Sequence, residues 1–470
     1  MKVRNPRTGE LDYEIAPLSA DAVAQAARDL RERQAPWAAL APEQRAAVLL
    51  QWAEAIDADH GPLVAALTAD TGRRGISRVE VEGTVRLIRR WAERAPRLIE
   101  RELTNGVSTA IPTVMARTRL VPYPLVGVIS PWNFPLTLAT LDAVPALAAG
   151  CAVVVKPSEV TPRFIRPLMA TVPPELPLAM IEGDGETGAA LVPTVDFVCF
   201  TGSVATGRKV AAAAAEAFVP ASLELGGKDP MIVLASADPA QAAATALRAS
   251  VVNAGQACQS IERVYVAREI AEPFLTALVD QAQGCRINAP DIGAGEIGPF
   301  IFERQAETVQ LQIDRAVAAG ARVLAGGKVE TIGGGLYLRP TILTEVTPDM
   351  DIMAKETFGP VLPVTVFDNV DEAVALANRG VFGLSAAVIA ATIEEAEAVA
   401  ERLEAGAVSI NDGALTSMVW EAEKSSFKAS GMGPSRMGDS GLLRFFRRQA
   451  LIRQAGSPLP LSAYSEEALT

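Results

Sequence analysis

Histidine is nearly absent from this sequence: His60 is the single one among 470 residues. A Cys-His or Ser-His-Asp device would therefore need His60, which lies far along the chain from every other candidate residue. A lone histidine in an amphipathic helical stretch is more often a surface or packing residue than a catalyst. If the chain carries a nucleophile, we expect its proton acceptor to be a carboxylate or a bound water.

Cysteine is scarce as well. The four cysteines, Cys151, Cys199, Cys258 and Cys285, show no paired spacing, so the sequence predicts neither a disulfide framework nor a metal site. Cys151 and Cys199 lie in apolar runs, where a free cysteine behaves as a small buried hydrophobe. This usage fits a reducing compartment, and we expect a cytoplasmic protein.

Long apolar runs and an excess of positive charge are also missing. No run reaches the roughly 20 apolar residues that a membrane helix needs, and the segment 1–6 lacks the apolar core of a signal peptide. The formal net charge of −12 argues against a nucleic-acid backbone or an anionic membrane as the main partner. The apolar fraction of 49% is ordinary for a globular protein, and the length predicts about three domains.

The first hundred residues show helical periodicity, and a strand-like segment follows them. Apolar residues at three-to-four spacing predict helices over 20–34, 42–71 and 79–97. Residues 107–123 are instead rich in β-forming residues and are interrupted by Pro112, which predicts an exposed strand pair. Because this segment separates the helical region from an α/β region, we expect it to form an arm.

From residue 124 to 235, short apolar strands alternate with helices, which predicts parallel βαβ units. Ligands of such sheets bind beyond the carboxyl ends of the strands. The predicted strands are 126–130, 151–156, 178–182, 195–201 and 222–225, and the predicted helices are 136–149, 161–171, 186–191 and 204–218. A second α/β unit follows, with predicted helices over 240–254, 270–283, 306–319, 371–379 and 393–404 and predicted strands over 262–266, 321–324, 361–367 and 406–411.

Polar residues follow the first two of these strands. Asn133 lies in a turn that two prolines stiffen; a structural turn asparagine is the commonest interpretation, and a fixed N–H donor for a developing oxyanion is the functional one. Lys156 and Glu159 place an ammonium and a carboxylate three residues apart. The pair could reach a ribose diol, and a salt-bridged loop explains it equally well.

The fourth strand of this unit ends at Gly202 and Ser203. Gly202 permits a tight turn and Ser203 begins a helix, whose free N–H groups suit a phosphate. The pattern differs from the usual G-x-G-x-x-G fingerprint. A routine helix cap is the structural alternative.

Glu224 is a carboxylate inside an apolar strand, where an ionised group is costly to bury. Either it pairs with a lysine such as Lys228, or its pKa is tuned for proton transfer. We favour the second interpretation, because Gly226 and Gly227 follow at once and would let another group approach.

Cys258 differs from the other cysteines because small and polar residues surround it, in the segment 253–260. It follows a glycine-containing turn, so its sulfur could face a cavity. The octapeptide alone fits a packed thiol equally well.

Together these segments resemble the aldehyde dehydrogenase superfamily, over about residues 19 to 450. The most specific matches, 130–135, 223–228, 255–258 and 356–360, come in the family's order, with 34 residues from Glu224 to Cys258. The resemblance implies an α/β fold with a Rossmann-like dinucleotide-binding domain, an α/β catalytic domain and a small β oligomerisation arm. The implied boundaries are 1–106 and 124–226 for the first domain, 227–446 for the second, and 107–123 with 447–470 for the arm.

The resemblance also implies roles for the matched residues. Cys258 would attack the aldehyde carbon, Asn133 would hold the oxyanion, and Glu224 would activate the water that hydrolyses the thioester. The cofactor would be NAD rather than NADP, because Glu159 on the ribose would repel a 2′-phosphate. The implied cofactor-binding residues are Ile129, Ser130, Pro131, Trp132, Lys156, Ser158, Glu159, Gly202, Ser203, Leu225, Gly226, Glu356 and Phe358.

The resemblance places a substrate pocket beside the cysteine. Its implied residues are Phe134, Thr137, Leu141, Ala257, Gln259, Ala414, Leu415 and Trp420. They are mostly apolar, with no arginine to hold a carboxylate, so we expect a medium-chain or aromatic aldehyde. The strand-like arm at 107–123 and the tail after 446 indicate a homodimer or homotetramer. The alternatives are a cysteine esterase or thioesterase that needs no cofactor, and a catalytically silent NAD-binding protein on the same fold.

Overall fold

The computed structural model describes residues 1–108 and 110–469; Thr109 and Thr470, which the predicted arm includes, lie outside the described residues. The α-helices are α1 (Ala20–Ala39), α2 (Pro42–Ala58), α3 (Gly61–Thr71), α4 (Arg74–Arg101), α5 (Pro135–Ala149), α6 (Ile165–Met169), α7 (Gly185–Leu191), α8 (Val204–Glu216), α9 (Pro239–Val251), α10 (Arg268–Gly284), α11 (Glu303–Ala318), α12 (Asp351–Ala354), α13 (Val370–Asn378), α14 (Ile393–Ala400), α15 (Leu415–Met418), α16 (Ser440–Leu443) and α17 (Glu466–Leu469). Short 3₁₀ turns cover Val192–Thr194, Val252–Gly255 and Leu461–Tyr464.

The strands form several sheets, of which three matter here. In chain order they are β1 (Lys2–Arg4), β2 (Leu11–Glu14), β3 (Thr104–Val107), β4 (Val114–Pro122), β5 (Leu125–Ile129), β6 (Ala152–Lys156), β7 (Leu178–Met180), β8 (Phe197–Thr201), β9 (Ala221–Glu224), β10 (Asp229–Val233), β11 (Ile261–Ala267), β12 (Arg322–Ala325), β13 (Val329–Ile332), β14 (Gly335–Leu338), β15 (Thr341–Thr344), β16 (Val361–Phe367), β17 (Phe382–Gly383), β18 (Ser385–Ile389), β19 (Ala407–Ile410), β20 (Phe427–Lys428), β21 (Gly431–Met432) and β22 (Phe446–Gln454).

The helical N-terminal region packs on the first sheet through α1, while α4 packs on α5, which itself lies against β5 and β6. The predicted single helix 42–71 is wrong: the chain breaks between α2 and α3, because Pro62 lacks the N–H that would continue the α2 hydrogen-bond ladder. His60 precedes α3 at this break and is exposed. It therefore lies outside both helices.

The first large sheet has the order β21-β9-β8-β5-β6-β7, and its five strands from β9 to β7 are parallel. Helices cover it, and β5, β6 and β8 are buried along their whole length, as parallel strands require. The register pairs Thr201 with Glu224 and Ile129 with Lys156. The carboxyl ends of these strands therefore lie at one edge, as the alternation predicted.

The second large sheet has the order β12-β15-β16-β11-β10-β18-β19 and is parallel except at β12. Sequence patterning missed three of its strands, β10, β15 and β18. Their short runs carry few signals typical of a central strand: β10 contains Pro230, which central strands seldom tolerate, and β18 is rich in alanine, which is typical of helices. These segments become strands because each one pairs with a neighbouring strand on both of its edges.

A third sheet joins β22, β4 and β3 in antiparallel order. Strand β22 is an edge strand, and nearly all its residues are exposed. The strand-like segment predicted over 107–123 contains β4, and the part of the implied arm that begins at residue 447 contains most of β22. The domain boundaries inferred from the sequence stay a prediction.

Three other element predictions need correction. The predicted helix 161–171 shrinks to α6, because Pro162 precedes it and Pro167 interrupts its hydrogen bonding. The predicted helix 240–254 ends as α9 at Val251, where the backbone changes to positive φ. The glycine-rich segment 430–433, which the sequence predicts to open a long loop, contains β21, whose two residues pair antiparallel with β9.

Candidate active site

A cleft lies between the carboxyl edge of the first sheet and the second α/β unit. With the solvent at its mouth included, its volume is about 710 Å³. Its lining residues are Pro131, Trp132, Asn133, Leu138, Thr201, Gly202, Ser203, Glu224, Leu225, Gly226, Cys258, Gln305, Thr308, Glu356 and Phe358. The three residues with implied chemical roles, Cys258, Glu224 and Asn133, thus share one cleft.

The turn before Cys258 has an unusual backbone. Asn253, Ala254 and Gly255 have φ values of 63°, 54° and 69°, a region that residues with side chains seldom occupy. A Cβ on Gly255 would lie 2.2 Å from the Gly359 carbonyl carbon, so only glycine fits there. The turn therefore presses the cysteine loop against the turn that follows Phe358.

Buried amide side chains hold this turn in place. Asn133 Nδ2 donates to the Gln256 carbonyl oxygen at 3.0 Å, and Asn253 Nδ2 donates to the Asn133 carbonyl oxygen at 3.1 Å. The Gln256 side chain in turn bonds the backbone at Pro299 and Ile301. Asn133 is 2% exposed. Since one of its two amide hydrogens is used here, the other stays available to the cleft.

Cys258 is half-buried at the cleft wall. Burial, with a smaller contribution from the Glu356 carboxylate, raises the pKa of its thiol to about 12. Burial also raises the pKa of the Cys199 thiol to about 12, but Cys199 is 1% exposed within the core. In the state described, Cys258 is therefore a neutral thiol, and reaction requires that its proton be taken up nearby.

Glu224 ends β9 and accepts a hydrogen bond from Ser426 Oγ at 3.0 Å. The alternative that it pairs with Lys228 is wrong, because Lys228 Nζ donates to Glu262 Oε2 at 2.8 Å. Ser426 comes from the C-terminal part of the chain, next to β20. A tertiary contact across 202 residues thus orients this carboxylate.

A buried glutamate that the sequence interpretation missed, Glu262, anchors the turn that carries Glu356 and Phe358. Its two carboxylate oxygens accept the backbone N–H groups of Thr357 and Phe358, each at 2.7 Å, and the Lys228 ammonium at 2.8 Å. Glu262 is 2% exposed and Lys228 2%. A carboxylate inside the apolar strand β11 was the available signal, the same one that drew attention to Glu224.

Further buried side chains complete this anchor. Lys228 Nζ also donates to Thr357 Oγ1 at 2.7 Å, and that hydroxyl donates to Gln312 Oε1 at 2.9 Å. Gln305 Nε2 donates to the Thr357 carbonyl oxygen at 2.7 Å. Phe358 has a φ of 56° and lies edge-on to Trp132, with 5.4 Å between ring centroids. The strained backbone of Phe358 is therefore fixed from several sides.

Glu356 lies directly over the two glycines that follow Leu225. Its Oε1 accepts the Gly227 N–H at 3.2 Å, and a Cβ on Gly226 would lie 2.5 Å from Glu356 Oε2. Burial, followed by the nearby Glu262 charge, raises the pKa of Glu356 to about 8. The glycines therefore let a carboxylate approach, as expected, but that carboxylate belongs to Glu356.

A second charged cluster lies behind Glu224. Arg436 Nη2 donates to Asp142 Oδ2 at 2.7 Å and to Thr201 Oγ1 at 2.6 Å, and Arg444 also binds Asp142. Thr201 neighbours Glu224 in the sheet register. The Arg436 charge acts to lower the pKa of Cys258, against the larger effect of burial.

The residues implied for a dinucleotide lie along the same edge of the sheet. Lys156 Nζ pairs with Glu159 Oε2 at 3.3 Å, so the salt-bridged loop is present. A Cβ on Gly188 would touch Lys156 and Ile129, which shows how closely α7 approaches β5 and β6. Ser130 Oγ is buried without a hydrogen-bond partner, and Ser158 is buried beside Glu159.

Ser203 caps α8 and leaves the helix terminus facing the cleft. Its Oγ accepts the Thr206 N–H at 3.3 Å, while Gly202 precedes it at the end of β8. The remaining free N–H groups at this terminus suit a pyrophosphate. The cradle formed by this terminus, the Lys156–Glu159 pair and Glu356 therefore fits a dinucleotide.

The implied substrate residues are not among the described residues that line the cleft, although Phe134 follows Asn133 in the chain and Ala257 and Gln259 flank Cys258. Leu141 is 4% exposed within the hydrophobic core, and Trp420 packs against that core. The Thr137 N–H donates to Glu80 Oε2 at 3.0 Å. Leu415 is 38% exposed. Phe134, Ala257, Gln259 and Ala414 are half-buried.

A membrane-spanning helix and a cluster of metal ligands are both absent from the described residues. No helix in that part of the chain is long and apolar enough to cross a membrane. The same residues contain no group of three or more histidine, cysteine, aspartate or glutamate side chains placed to hold a metal ion.

Comparison with known proteins places this geometry in context. The model described as “Aldehyde dehydrogenase family” matches residues 1–451. The chain is 36% identical over 441 residues, 92% of its length and 84% of the relative's, to the “Putative succinate-semialdehyde dehydrogenase NADP(+)” of Mycolicibacterium smegmatis. It is 38% identical over 445 residues, 91% of its length and 88% of the relative's, to the “Betaine aldehyde dehydrogenase” of Cereibacter sphaeroides.

A solved structure is similar over almost the whole chain. It is that of the “Putative Aldehyde Dehydrogenase PutA” of Anabaena variabilis, with 50% identity, a TM-score of 0.95 and 98% of each chain covered. This match confirms the predicted α/β fold with its two sheet-containing units.

Proposed function

The chain belongs to the aldehyde dehydrogenase family, and on that premise we propose that it oxidises an aldehyde to the carboxylic acid with NAD(P)⁺. The observation that carries the proposal is the convergence of Cys258, Glu224 and Asn133 on one cleft. A thiol, a carboxylate and an amide donor form a complete set for acyl chemistry without histidine.

Each of these residues has one task in the proposed mechanism. The Cys258 sulfur bonds to the aldehyde carbon as its thiol proton passes to a water molecule in the cleft and the C=O π electrons move onto oxygen, which gives a thiohemiacetal oxyanion. The free Asn133 amide hydrogen and the Cys258 backbone N–H hold the oxygen of that adduct. A dinucleotide held along the carboxyl edge of the first sheet would supply the acceptor for the hydride that this adduct loses as its C=O bond re-forms. The thioester that remains on Cys258 is then hydrolysed.

Glu224 completes the second half of the reaction. Its carboxylate lies in the same cleft and is held by Ser426 Oγ. It takes a proton from a water molecule, whose oxygen bonds to the thioester carbon; the C–S bond breaks, and the acid leaves with the Cys258 thiol restored. Among the described residues, Glu224 accepts a side-chain hydrogen bond at Oε2 alone, so its Oε1 can accept that proton.

We propose that the dinucleotide lies against the carboxyl edge of the first sheet. The cleft residues proposed to contact it are Pro131, Trp132, Gly202, Ser203, Leu225, Gly226, Glu356 and Phe358, with Ile129, Ser130, Lys156, Ser158 and Glu159 at the adenosine end. NAD is the proposed preference, because the Glu159 carboxylate would repel a 2′-phosphate. The Lys156–Glu159 pair supports this, since it holds the carboxylate at the strand end.

The apolar members of the pocket set support an aldehyde with a medium-length or aromatic body. Phe134 and Leu415 would contact that body, next to Cys258. The edge strand β22 supports a homodimer or homotetramer, since an exposed strand edge is a ready surface for pairing. The cytoplasmic location stays a prediction.

The two rival functions make different demands on the cleft. A cysteine esterase or thioesterase would use Cys258 and Glu224 but would need no helix terminus or ribose-binding carboxylate. A silent NAD-binding protein would need the cofactor residues but no oriented Glu224. The presence of both sets in one cleft favours oxidation over either rival.

The test is NADH formation with a panel of aldehydes. We expect absorbance at the NADH band with at least one aldehyde class, and Cys258→Ser should lower the rate by at least about 10³-fold. Cys285→Ser, which removes a half-buried thiol elsewhere, is the matched control and should leave the rate unchanged. Ester hydrolysis without NAD, combined with no NADH from any aldehyde, would favour the esterase instead.

A further inference from the structure

Lys424 is a half-buried lysine beside the reactive cysteine, and its ammonium contacts only uncharged oxygens. Its Nζ donates to the Thr416 carbonyl oxygen at 2.6 Å and to Gln259 Oε1 at 3.3 Å. Within the part of the chain that the structure describes, no carboxylate forms an ion pair with it. An ammonium has three donors, so one of them remains to be used.

The position of Lys424 links it to both reacting side chains. Gln259 follows Cys258 directly, and its amide oxygen also accepts the Thr416 hydroxyl at 2.9 Å. Ser426, two residues beyond Lys424, donates to Glu224. The segment from Lys424 to Ser426 therefore contacts both Glu224 and the residue that follows Cys258.

Comparison with Lys228 shows what is unusual about this lysine. Lys228 is buried and has Glu262 as its counter-charge at 2.8 Å. Lys424 is partly desolvated, which lowers its pKa, while the charges of Glu224 and Asp229 act on it from a longer distance. A desolvated ammonium without an ion-pair partner carries a free-energy cost that a bound anion would offset.

We propose that Lys424 binds a carboxylate of the aldehyde, so that the substrate class is an aldehyde that carries a carboxylate at its other end. The inference rests on the proposed oxidation at Cys258 and names the substrate of that same site. The proposal revises the expectation that the pocket has no cationic side chain to hold a carboxylate. The sequence showed no arginine for this role, whereas the lysine that the structure places there lies 166 residues after Cys258.

A carboxylate on Lys424 would fix the direction of the substrate. The aldehyde carbon would lie at Cys258, and the carboxylate would lie toward Gln259 and Thr416. A charge-assisted hydrogen bond of this kind is worth roughly 1.5–3 kcal/mol, which corresponds to about 10- to 150-fold in kcat/KM. The binding contribution would appear mainly in KM, because the ammonium would contact the carboxylate and not the bonds that change.

The experiment compares matched aldehydes with and without the carboxylate. Steady-state kinetics are measured with 4-oxobutanoate against butanal, and with 4-carboxybenzaldehyde against benzaldehyde. The wild-type protein should prefer at least one carboxylated member over its neutral partner by at least tenfold in kcat/KM. Lys424→Met should remove that preference by raising KM, with neutral aldehydes changed by less than about threefold. Lys424→Arg should restore part of it.

A neighbouring lysine supplies the control. Lys428 Nζ pairs with Glu404 Oε2 at 2.7 Å and donates to the Asn378 carbonyl oxygen, so its charge is satisfied outside the cleft. Lys428→Met removes the same charge and should leave the preference intact. Melting temperatures of both variants show whether either one is misfolded.

Two results would overturn the inference while leaving aldehyde oxidation standing. One is a wild-type protein that oxidises the neutral aldehydes as well as the carboxylated ones. The other is an equal loss with both classes in Lys424→Met, which would mean that Lys424 acts on Cys258 or Glu224 instead. If no aldehyde yields NADH while Cys258 still hydrolyses esters, the proposed oxidation itself fails.

Discussion

The two sides of Cys258 are built differently. On the cofactor side, the turn with Glu356 and Phe358 is anchored by a buried carboxylate that accepts three hydrogen bonds, one of them from a buried ammonium. On the aldehyde side, Lys424 makes only neutral contacts and is half-buried. Buried ion pairs are costly to rearrange, whereas partly solvated neutral contacts are not.

This difference separates two requirements of the same reaction. The dinucleotide presents one fixed shape to the cleft, so a rigid turn suits it. The aldehyde varies among relatives, which are named for aldehydes as different as succinate semialdehyde and betaine aldehyde. A wall held by neutral contacts can change its side chains without disturbing the cysteine. Specificity and chemistry are therefore carried by different parts of the site.

Glu262→Gln should break the cofactor side and gives the largest expected effect. It leaves the Lys228 ammonium buried without a counter-charge and places an NH₂ group against the Thr357 or Phe358 N–H. We expect a loss of roughly 3–5 kcal/mol in unfolding free energy and a raised KM for NAD. Urea unfolding and steady-state kinetics measure the two effects.

Lys424→Met tests the aldehyde side in the same way and is compared with Glu262→Gln. Its neutral contacts predict a change in unfolding free energy of no more than about 1 kcal/mol, with KM for NAD unchanged. Equal destabilisation by both substitutions would show that the two sides do not differ as described.

Glu356→Gln should sharpen the comparison through a smaller, pH-dependent effect. The folded-state pKa of Glu356, about 8, lies above the ordinary glutamate value of 4.5. Between those values the folded protein keeps a proton that the unfolded chain has released, so the Glu356 contribution to stability falls as pH rises toward 8. We expect the loss of stability between pH 5 and 8.5 to be smaller in the variant by at least about 1.4 kcal/mol, the value of one pKa unit.

Glu401→Gln, at an exposed position, controls for the loss of one negative charge. Urea unfolding at the two pH values gives the comparison. A variant with the same pH dependence as the wild-type protein would show that burial does not hold the Glu356 carboxyl protonated.

The sequence was most informative where local motifs lie at strand ends. Asn133, Glu224 and Cys258 were found from short motifs in order, and the family and enzyme class that these imply are confirmed. Contacts between distant segments could not be predicted in the same way. Glu262 and Lys228 are 34 residues apart, and neither partner indicates the other before the sheet is formed.

The irregular backbone was also beyond sequence patterning. The positive φ of Asn253 and Ala254 contradicts the helical periodicity of 240–254, because tertiary packing overrides local propensity there. Lys424 lies in a stretch without periodicity, and its hydrogen-bond partners, Gln259 and Thr416, come from two parts of the chain. Its role therefore became visible only from the hydrogen bonds.

The most direct test of the central account is rapid mixing of Glu224→Gln with NAD⁺ and a reactive aldehyde. The account assigns oxidation to Cys258 and Asn133 and hydrolysis to Glu224, so the variant should give a fast burst of NADH and then turn over at least about 100-fold more slowly than the wild-type protein. An unchanged steady rate, or a loss of the burst in a correctly folded variant, would contradict that division of tasks.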